Sequence, residues 1–268
     1  GLFPYDDPRH PFALVDCPIT EERVVAVWRE VMAAAGHLPR APRLRGAVQL
    51  VDGQHATFTL EGGREWPSLD RFASAVPALA GIWWQPEHQR RRVVHERGAV
   101  GGGASFVQVN AGVAEALHAH VLARARAHRP RHVVDAYAGS GATAIPLSAG
   151  GIRVTAIELD REAALVMRAA LRSPSESVAG RVEDMLARAL PADVVLLNPP
   201  RAGVLPAVTT ILGANPPRAI IYTSCNPATL ARDVARLPQY RIASLEGFDM
   251  FPQTAHVETV CELVREAA

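Results

Sequence analysis

The sequence of 268 residues contains no lysine and has almost no net charge. All 28 basic residues are arginine, against 27 acidic residues, so the formal charge is +1. A charge this small does not by itself indicate a nucleic-acid-binding protein. Arginine nevertheless suits contacts with phosphates and stacking on bases better than lysine does.

Cysteines and long apolar runs are also scarce. The three cysteines, Cys17, Cys225 and Cys261, are widely spaced and odd in number, which argues against a disulfide framework and favours reduced thiols. No apolar run reaches the roughly 18 residues of a membrane span, and no signal peptide opens the chain. We therefore expect a cytoplasmic protein without a membrane partner, and nothing in the sequence indicates an obligate protein partner.

The first hundred residues predict a small α+β domain. Apolar positions recur at helical spacing over 21–35, and a second helical pattern covers 68–79. Alternating patterns over 44–51 and 55–60 flank Asp52-Gly53, which is typical of a β-hairpin. The three glycines that begin at Gly101 cannot maintain an element interior, so we expect two domains, 1–100 and 101–268.

An arginine run, Gln89-Arg90-Arg91-Arg92, lies near Trp83 and Trp84 in the first domain. It is either a solvated turn with edge-strand charges or an RNA contact. The second interpretation rests on the ability of arginines beside aromatic rings to grip phosphates and stack on unpaired bases.

Strands and helices alternate after residue 106, which predicts an α/β domain with a mostly parallel, doubly wound sheet. The predicted strands are 131–135, 153–157, one near Val178, 193–197 and 219–222. Ligands bind at the carboxyl ends of the strands in such sheets. The polar turns that follow these strands are therefore the candidate site.

The first of these turns is Asp135-x-Tyr137-x-Gly139-Ser140-Gly141. Its small residues let a ligand approach the backbone where a strand turns into a helix. Glu158 ends the next strand, a suitable place for an acid that accepts hydrogen bonds from ribose hydroxyls. The last position of a full dinucleotide motif is Ala144, and a pyrophosphate disfavours an acid at 135. S-adenosylmethionine carries an ammonium and a sulfonium and no phosphate, so it suits this acidic strand end better.

Three further polar segments offer reactive groups. Cys225 follows the strand 219–222 and precedes an Asn-Pro turn; such a cysteine is either a buried structural residue or an exposed nucleophile, and the turn favours the nucleophile. The turn 198–203 is either a rigid structural turn or a base-binding loop. Glu258 is either a solvated strand residue or, in a cleft with Cys225, a general base.

These segments together resemble the RNA uracil-C5 methyltransferases, S-adenosylmethionine-dependent enzymes that make 5-methyluridine in tRNA and ribosomal RNA. Five motifs in family order carry the resemblance: 106–110, 135–141, 198–203, 224–233 and 251–258. The resemblance implies a Rossmann-like class I methyltransferase domain over 101–268, preceded by the small α+β domain, with tRNA or rRNA as the substrate.

The resemblance also implies roles for single residues. Cys225 is the nucleophile and Glu258 the base. The residues implied in cofactor binding are Gln108, Asp135, Tyr137, Gly139, Gly141, Glu158 and Asn198. The residues implied in substrate binding are Phe106, Asn198 and Arg201.

The sequence departs from the family at three points. Asn198 stands where the family usually has Asp. Only Cys17 matches the four cysteines that hold an iron–sulfur cluster in some members, so neither a cluster nor another metal is expected. Many relatives carry an oligonucleotide-binding barrel before this region, and we expect the barrel and the cluster to be either lost or cut from this chain.

Three rival functions stay open at this point. An RNA cytosine-C5 methyltransferase would use the same covalent chemistry, and the amide of Asn198 can pair with either base. A catalytically idle RNA-binding paralogue would keep the fold without turnover. A small-molecule methyltransferase would not need both Cys225 and Glu258.

Overall fold

The computed structural model describes residues 16–17, 20–51, 55–98, 110–252 and 254–266. The chain divides into two units, Gly1–Val107 and Gln108–Ala268, whereas the sequence places the boundary at residue 100. The glycine run that suggested this boundary lies outside the described residues.

The first unit combines a four-stranded sheet with two α-helices. The helices are α1 (Glu22–Ala33) and α2 (Leu69–Ala75), with a short 3₁₀ turn at Ala35–His37; the strands are β1 (Arg45–Val51), β2 (His55–Glu61), β3 (Leu79–Gln85) and β4 (Arg92–Glu96). The sheet order is β1-β2-β3-β4. β2 and β3 are parallel, and the other two pairs are antiparallel.

The predicted hairpin strands pair as expected. Antiparallel pairing of β1 with β2 extends from Arg45 opposite Glu61 to Val51 opposite His55. The predicted second helix is too long, because α2 ends at Ala75. Pro77 follows two residues later and cannot continue a helix.

Aromatic side chains form the core of the first unit. The ring centroid of Phe72 lies 5.5 Å from that of Phe58 and 5.3 Å from that of Trp66. Trp83 and Trp84 are only 4% and 5% exposed. They are therefore core residues and do not offer a stacking surface for bases, which leaves the exposed arginines as the accessible part of the predicted contact.

The second unit is built on a seven-stranded sheet. Its strands are β5 (His132–Ala136), β6 (Arg153–Glu158), β7 (Glu176–Ala179), β8 (Val194–Leu197), β9 (Ala219–Ser224), β10 (Tyr240–Phe248) and β11 (Glu258–Arg265). Its helices are α3 (Ala111–Ala127), α4 (Ala144–Ala149), α5 (Arg161–Ala170), α6 (Val182–Ala189), α7 (Pro206–Ala214) and α8 (Pro227–Val234). The strand order is β10-β11-β9-β8-β5-β6-β7.

This topology confirms the predicted mostly parallel, doubly wound sheet. β11 is antiparallel to both of its neighbours, β9 and β10, and the five strands from β5 to β9 are parallel to one another. Successive residues of β5, Val133 and Val134, join separate apolar clusters on the two faces of the sheet. Both faces are therefore covered, as a parallel sheet requires.

The chain changes direction across the sheet between β5 and β8. The strands β5, β6 and β7 proceed outward on one side, and β8 then returns to the free side of β5. Such a switch point leaves a crevice at the carboxyl ends of the two central strands, where ligands bind in open α/β sheets. In the part of the chain that the structure describes, no helix is both long and apolar enough to cross a membrane.

Candidate active site

The loop after β5 has a conformation that few residues adopt. Gly139 and Gly141 have φ angles of 57° and 87°, and Tyr137 has a φ of 64°, which is costly for a bulky residue. A Cβ atom on Gly139 would have no heavy atom within 4 Å. The glycine backbone therefore faces open space that a ligand can approach.

Glu158 fixes this loop from the end of β6. Its Oε2 accepts a hydrogen bond of 2.7 Å from the N–H of Gly139, and its Oε1 accepts one of 2.8 Å from the N–H of Asp160. Each carboxylate oxygen has two lone pairs. Glu158 can therefore hold the loop and still accept hydrogen bonds from a ligand.

Asp135 lies buried at the carboxyl end of β5, with only 2% of its surface exposed. Burial, reinforced by the negative charge of Glu158, raises the pKa of Asp135 to about 6, although a hydrogen bond from the Thr143 hydroxyl opposes the rise. A nearby positive charge would stabilise the ionised form of such a buried carboxylate. A ligand with a positive charge would supply one.

A small cavity lies at the switch point between β5 and β8. Its volume is about 40 Å³, and Asp135, Tyr137 and Asn198 all line it. The structure thus brings these three predicted residues together. His118 of α3 and Thr223 of β9 also line the cavity, and burial lowers the pKa of His118. Sequence reasoning missed both, because neither stands in a polar turn.

The turn around Cys225 is held by its neighbours. The Ser224 hydroxyl donates to the carbonyl of Asn226 at 3.0 Å and accepts from its N–H at 3.1 Å. The side-chain oxygen of Asn226 then accepts from the N–H groups of Ala228 and Thr229, which caps α8. Cys225 is half-buried, so the interpretation of a cysteine fully buried in the core is wrong.

The sheet register brings Glu258 beside Cys225. Thr259 of β11 pairs with Ser224 of β9; Glu258 precedes Thr259, and Cys225 follows Ser224. In an antiparallel pair, one step back on one strand and one step forward on the other reach adjacent positions. The two predicted catalytic residues therefore lie just beyond that pair at neighbouring positions, at the edge of the sheet where β9 ends.

Glu258 is not a solvated strand residue, since only 6% of its surface is exposed. Burial raises the pKa of Glu258, and the positive charge of Arg201 opposes the rise. A carboxylate with a raised pKa is a stronger base.

The loop after β8 has hydrogen bonds along its backbone and exposed side chains. The N–H of Asn198 donates to the carbonyl of Ala136 at 3.3 Å, and the N–H of Gly203 donates to the carbonyl of Pro200 at 2.8 Å. The side chains of Asn198 and Arg201 are exposed. The loop therefore presents an amide and a guanidinium at the carboxyl end of β8.

Asp233 is a further buried residue at this edge, and we assign it no role from sequence. It is 0% exposed and accepts hydrogen bonds from the Tyr222 hydroxyl at 2.8 Å and from the N–H of Val204 at 2.9 Å. The sequence signal for it is the adjacent Arg232-Asp233 pair that ends the fourth motif, because an aspartate is almost never fully buried unless it is paired.

Some predictions fall outside the described residues. Phe106 and Gln108 are among the undescribed positions, so their roles stay predictions. Cys17 is half-buried, and its Sγ accepts a hydrogen bond from the Thr20 hydroxyl at 3.0 Å. Over the described ranges, no group of three or more His, Cys, Asp or Glu side chains forms a metal site.

Comparison with known proteins finds a matching family model and similar sequences. A family model described as tRNA (Uracil-5-)-methyltransferase matches residues 176–266. The 23S rRNA (uracil(747)-C(5))-methyltransferase of Cronobacter sakazakii is 37% identical over 240 residues, which are 87% of this chain and 59% of that protein. The enzyme of the same name from Shewanella amazonensis is 37% identical over 171 residues, 61% of this chain and 44% of that protein. The chain thus spans less than two thirds of the length of either relative.

A solved structure shares the fold. The tRNA (uracil-54, C5)-methyltransferase of Pyrococcus abyssi, in complex with S-adenosyl-L-homocysteine, superposes with a TM-score of 0.69 and 21% identity, over 96% of this chain and 71% of that chain. This likeness confirms the Rossmann-like class I methyltransferase fold preceded by a small α+β unit. Motifs, family model and relatives agree that the chain resembles the RNA uracil-C5 methyltransferase family.

Proposed function

We propose that this chain transfers a methyl group from S-adenosylmethionine to C5 of a uridine in ribosomal RNA or tRNA. The observation that carries the proposal is the pairing of Thr259 in β11 with Ser224 in β9, because Glu258 precedes Thr259 and Cys225 follows Ser224. The Cys225–Glu258 pair lies at the sheet edge that also holds the cavity of Asp135, Tyr137 and Asn198. A methyltransferase for small molecules has no need of such a pair.

The residues at the switch point fit S-adenosylmethionine. The cavity, about 40 Å³, is far smaller than the several hundred Å³ that enclose a whole ligand of this size, so it admits one end of the cofactor only. Asp135 offers a buried carboxylate to the ammonium of that end. Glu158 would accept hydrogen bonds from the ribose hydroxyls outside the cavity, where the open space at Gly139 lets the ribose approach, and the bound cofactor supplies an electrophilic methyl group.

Cys225 supplies the activation that uracil needs. Uracil C5 is too poor a nucleophile to take a methyl group unaided. When the Cys225 thiolate adds to C6, an S–C6 bond forms and the C5=C6 electron pair moves into an enolate, which makes C5 nucleophilic. The half-buried position of Cys225 before α8 leaves this residue partly open to a substrate base.

Glu258 completes the reaction. After C5 has gained the methyl group, it still carries its proton, and the Cys225 sulfur cannot leave until that proton is removed. Glu258 accepts the proton, the S–C6 bond breaks and the C5=C6 double bond returns. The raised pKa of Glu258 favours this proton transfer, and its position beside Cys225 suits the shared substrate ring.

The substrate base must leave its stack to reach this edge. Cys225 attacks the ring from one face, so the base has to be single-stranded or flipped out of a helix. The exposed arginines Arg90, Arg91 and Arg92 of the first unit offer positive charge to the RNA backbone. Relatives at 37% identity are named for 23S rRNA, which makes ribosomal RNA the first substrate to test.

The deciding experiment is mass spectrometry of nucleosides from cellular ribosomal RNA and tRNA, with and without the gene. Loss of 5-methyluridine from one RNA, restored by wild type and not by Cys225→Ala, is the expected result. Loss of 5-methylcytidine instead would show that the methylated base is cytosine and not uracil. An unchanged nucleoside profile would favour an idle RNA-binding paralogue.

A further inference from the structure

Asp233 joins three parts of the catalytic edge. Its carboxylate accepts hydrogen bonds from the Tyr222 hydroxyl in β9, from the N–H of Val204 after the β8 loop, and from Arg232 and Arg236. All of this occurs at a side chain with no solvent exposure. A buried carboxylate with so many donors fixes the relative positions of the groups it binds.

The exit of the 198–203 loop rests on this carboxylate. The N–H of Val204 donates to Asp233 Oδ2 at 2.9 Å, and Arg232 Nη2 donates to the carbonyl of Ala202 at 2.7 Å. Gly203 between them has a φ of 75°, and a Cβ there would lie 2.3 Å from Asp233 Oδ2. The loop backbone therefore packs directly on the Arg232-Asp233 pair.

The helix that carries Arg232 and Asp233 directly follows the turn of the candidate nucleophile, Cys225. α8 begins at Pro227, two residues after Cys225, and Asp233 lies in its last turn. Tyr222, whose hydroxyl binds Asp233, lies three residues before Cys225 on β9. The nucleophile turn and the base-binding loop are thus tied to opposite ends of one short helix.

We propose that Asp233 and Arg232 are positioning residues that hold the 198–203 loop, and with it Asn198 and Arg201, in register with the base that Cys225 attacks. The inference rests on the proposed function. It adds a physical reason for the Arg-Asp ending of the fourth motif. Loosening the loop slows the chemical step on bound RNA, because the base is no longer held over Cys225.

A matched pair of variants separates this role from general stability. Arg232 and Arg236 both donate to Asp233 Oδ1, at 2.8–2.9 Å and 3.1 Å. Arg232 also donates to the loop, at the carbonyl of Ala202. We expect Arg232→Gln to lower the single-turnover methylation rate at saturating RNA about tenfold, the size of a lost positioning contact. Arg236→Gln removes a bond to Asp233 and leaves the bond from Arg232 to Ala202 in place, so it should lose clearly less activity.

The readouts are the rate at saturating RNA, the RNA dissociation constant, the melting temperature and the trapping rate with 5-fluorouridine RNA. Support is a slower rate and slower trapping for Arg232→Gln with RNA affinity and melting temperature unchanged. Equal rates for both variants, or losses that follow the melting temperature in both, overturn the positioning role. If Arg232→Gln does not fold, Arg232→Lys keeps the charge, cannot bind both acceptors through a planar fork, and should show a smaller loss of the same kind.

Failure of the proposed function gives a different result. Wild-type protein that neither methylates nor traps any pyrimidine RNA refutes the function itself. Wild type that traps uridine RNA while Arg232→Gln traps it equally fast refutes the positioning role alone.

Discussion

Glu158 holds the glycine loop in place, because its Oε2 accepts a hydrogen bond of 2.7 Å from the N–H of Gly139. The acid that ends β6 and the loop after β5 are therefore one structural unit. A substitution at Glu158 changes the loop as well as any contact with the ribose, and an experiment has to separate these effects.

Removal of the Glu158 carboxylate should weaken cofactor binding. We expect Glu158→Ala to lose about 1.5–3 kcal/mol of S-adenosylmethionine affinity, the usual size for hydrogen bonds to a charged group, measured by calorimetry. Glu162→Gln, an exposed acid in the first turn of α5, is the matched control and should bind normally. An unchanged dissociation constant for Glu158→Ala would mean that Glu158 does not bind the ribose.

Cys225 should form a covalent bond with the substrate base. Wild-type protein incubated with cofactor and 5-fluorouridine RNA should give a stable adduct, because fluorine cannot leave C5 as a proton. Cys225→Ala should give none, while Cys17→Ala should trap RNA as wild type does. An equal yield from Cys225→Ala would exclude Cys225 as the nucleophile.

Glu258 should act after methyl transfer. Glu258→Gln should accumulate a methylated covalent complex, detected by gel shift and mass spectrometry, and release little product. Since burial raises the pKa of Glu258 and the base has to be ionised, wild-type product release should fall as the pH drops through that raised value. Glu246→Gln, at an exposed position of β10, should turn over normally. Normal turnover by Glu258→Gln would make Glu258 a structural residue.

Asp135 should cost stability at neutral pH. Its folded-state pKa of about 6 lies above its ordinary 3.8, so its contribution to stability is fully present below about pH 4 and is lost as the pH rises through 6. The free energy of unfolding of Asp135→Asn should therefore exceed that of wild type by up to about 3 kcal/mol at pH 7. At pH 4 the two proteins should be equally stable. The same variant should bind S-adenosylmethionine more weakly. Thermal scans at both pH values check the first expectation, and a neutral-pH stability no higher than wild type would contradict it.

The strand ends were predictable from sequence, and the contacts between them were not. Apolar runs that stop at a polar turn predicted β5, β6, β8 and β9 and so placed Asp135 and Cys225 at one edge. β10 is mostly exposed, so its pattern gave no apolar run. The antiparallel register of β11, which brings Glu258 to Cys225, depends on pairing across distant segments.

Other features depend on the folded structure alone. The buried state of Asp233 follows from donors on β9, α8 and the loop after β8, which no local pattern reveals. The left-handed backbone of Tyr137 is unfavourable for its residue type and is maintained by surrounding packing. The sequence around His118 is an ordinary Ala-rich helical pattern, and the position of this residue at the cavity follows only from the packing of α3.

The remaining prediction concerns Asn198, where the chain departs from the family pattern. Its exposed amide lines the cavity beside Asp135 and Tyr137. The amide can accept N3–H of uracil through its oxygen and donate to O4 through its nitrogen, and in the flipped orientation it can serve cytosine instead. The amide alone therefore does not select the base. The remaining motifs follow the uracil enzymes, so we expect uridine to be methylated.

The test uses one RNA scaffold with U or C at the target, assayed with wild type and Asn198→Asp. Wild type should prefer uridine by about tenfold or more, the size of one lost hydrogen bond, because an amide oriented for uracil is mismatched with cytosine. Asn198→Asp should keep uridine activity, because a carboxylate still accepts N3–H, but with a lower rate since it offers no donor to O4. Asn198→Ala shows whether the position contacts the base at all, and a wild-type rate in this variant would mean that it does not. If 5-methylcytidine is the main wild-type product, the amide is oriented for cytosine and the assignment of uracil is wrong.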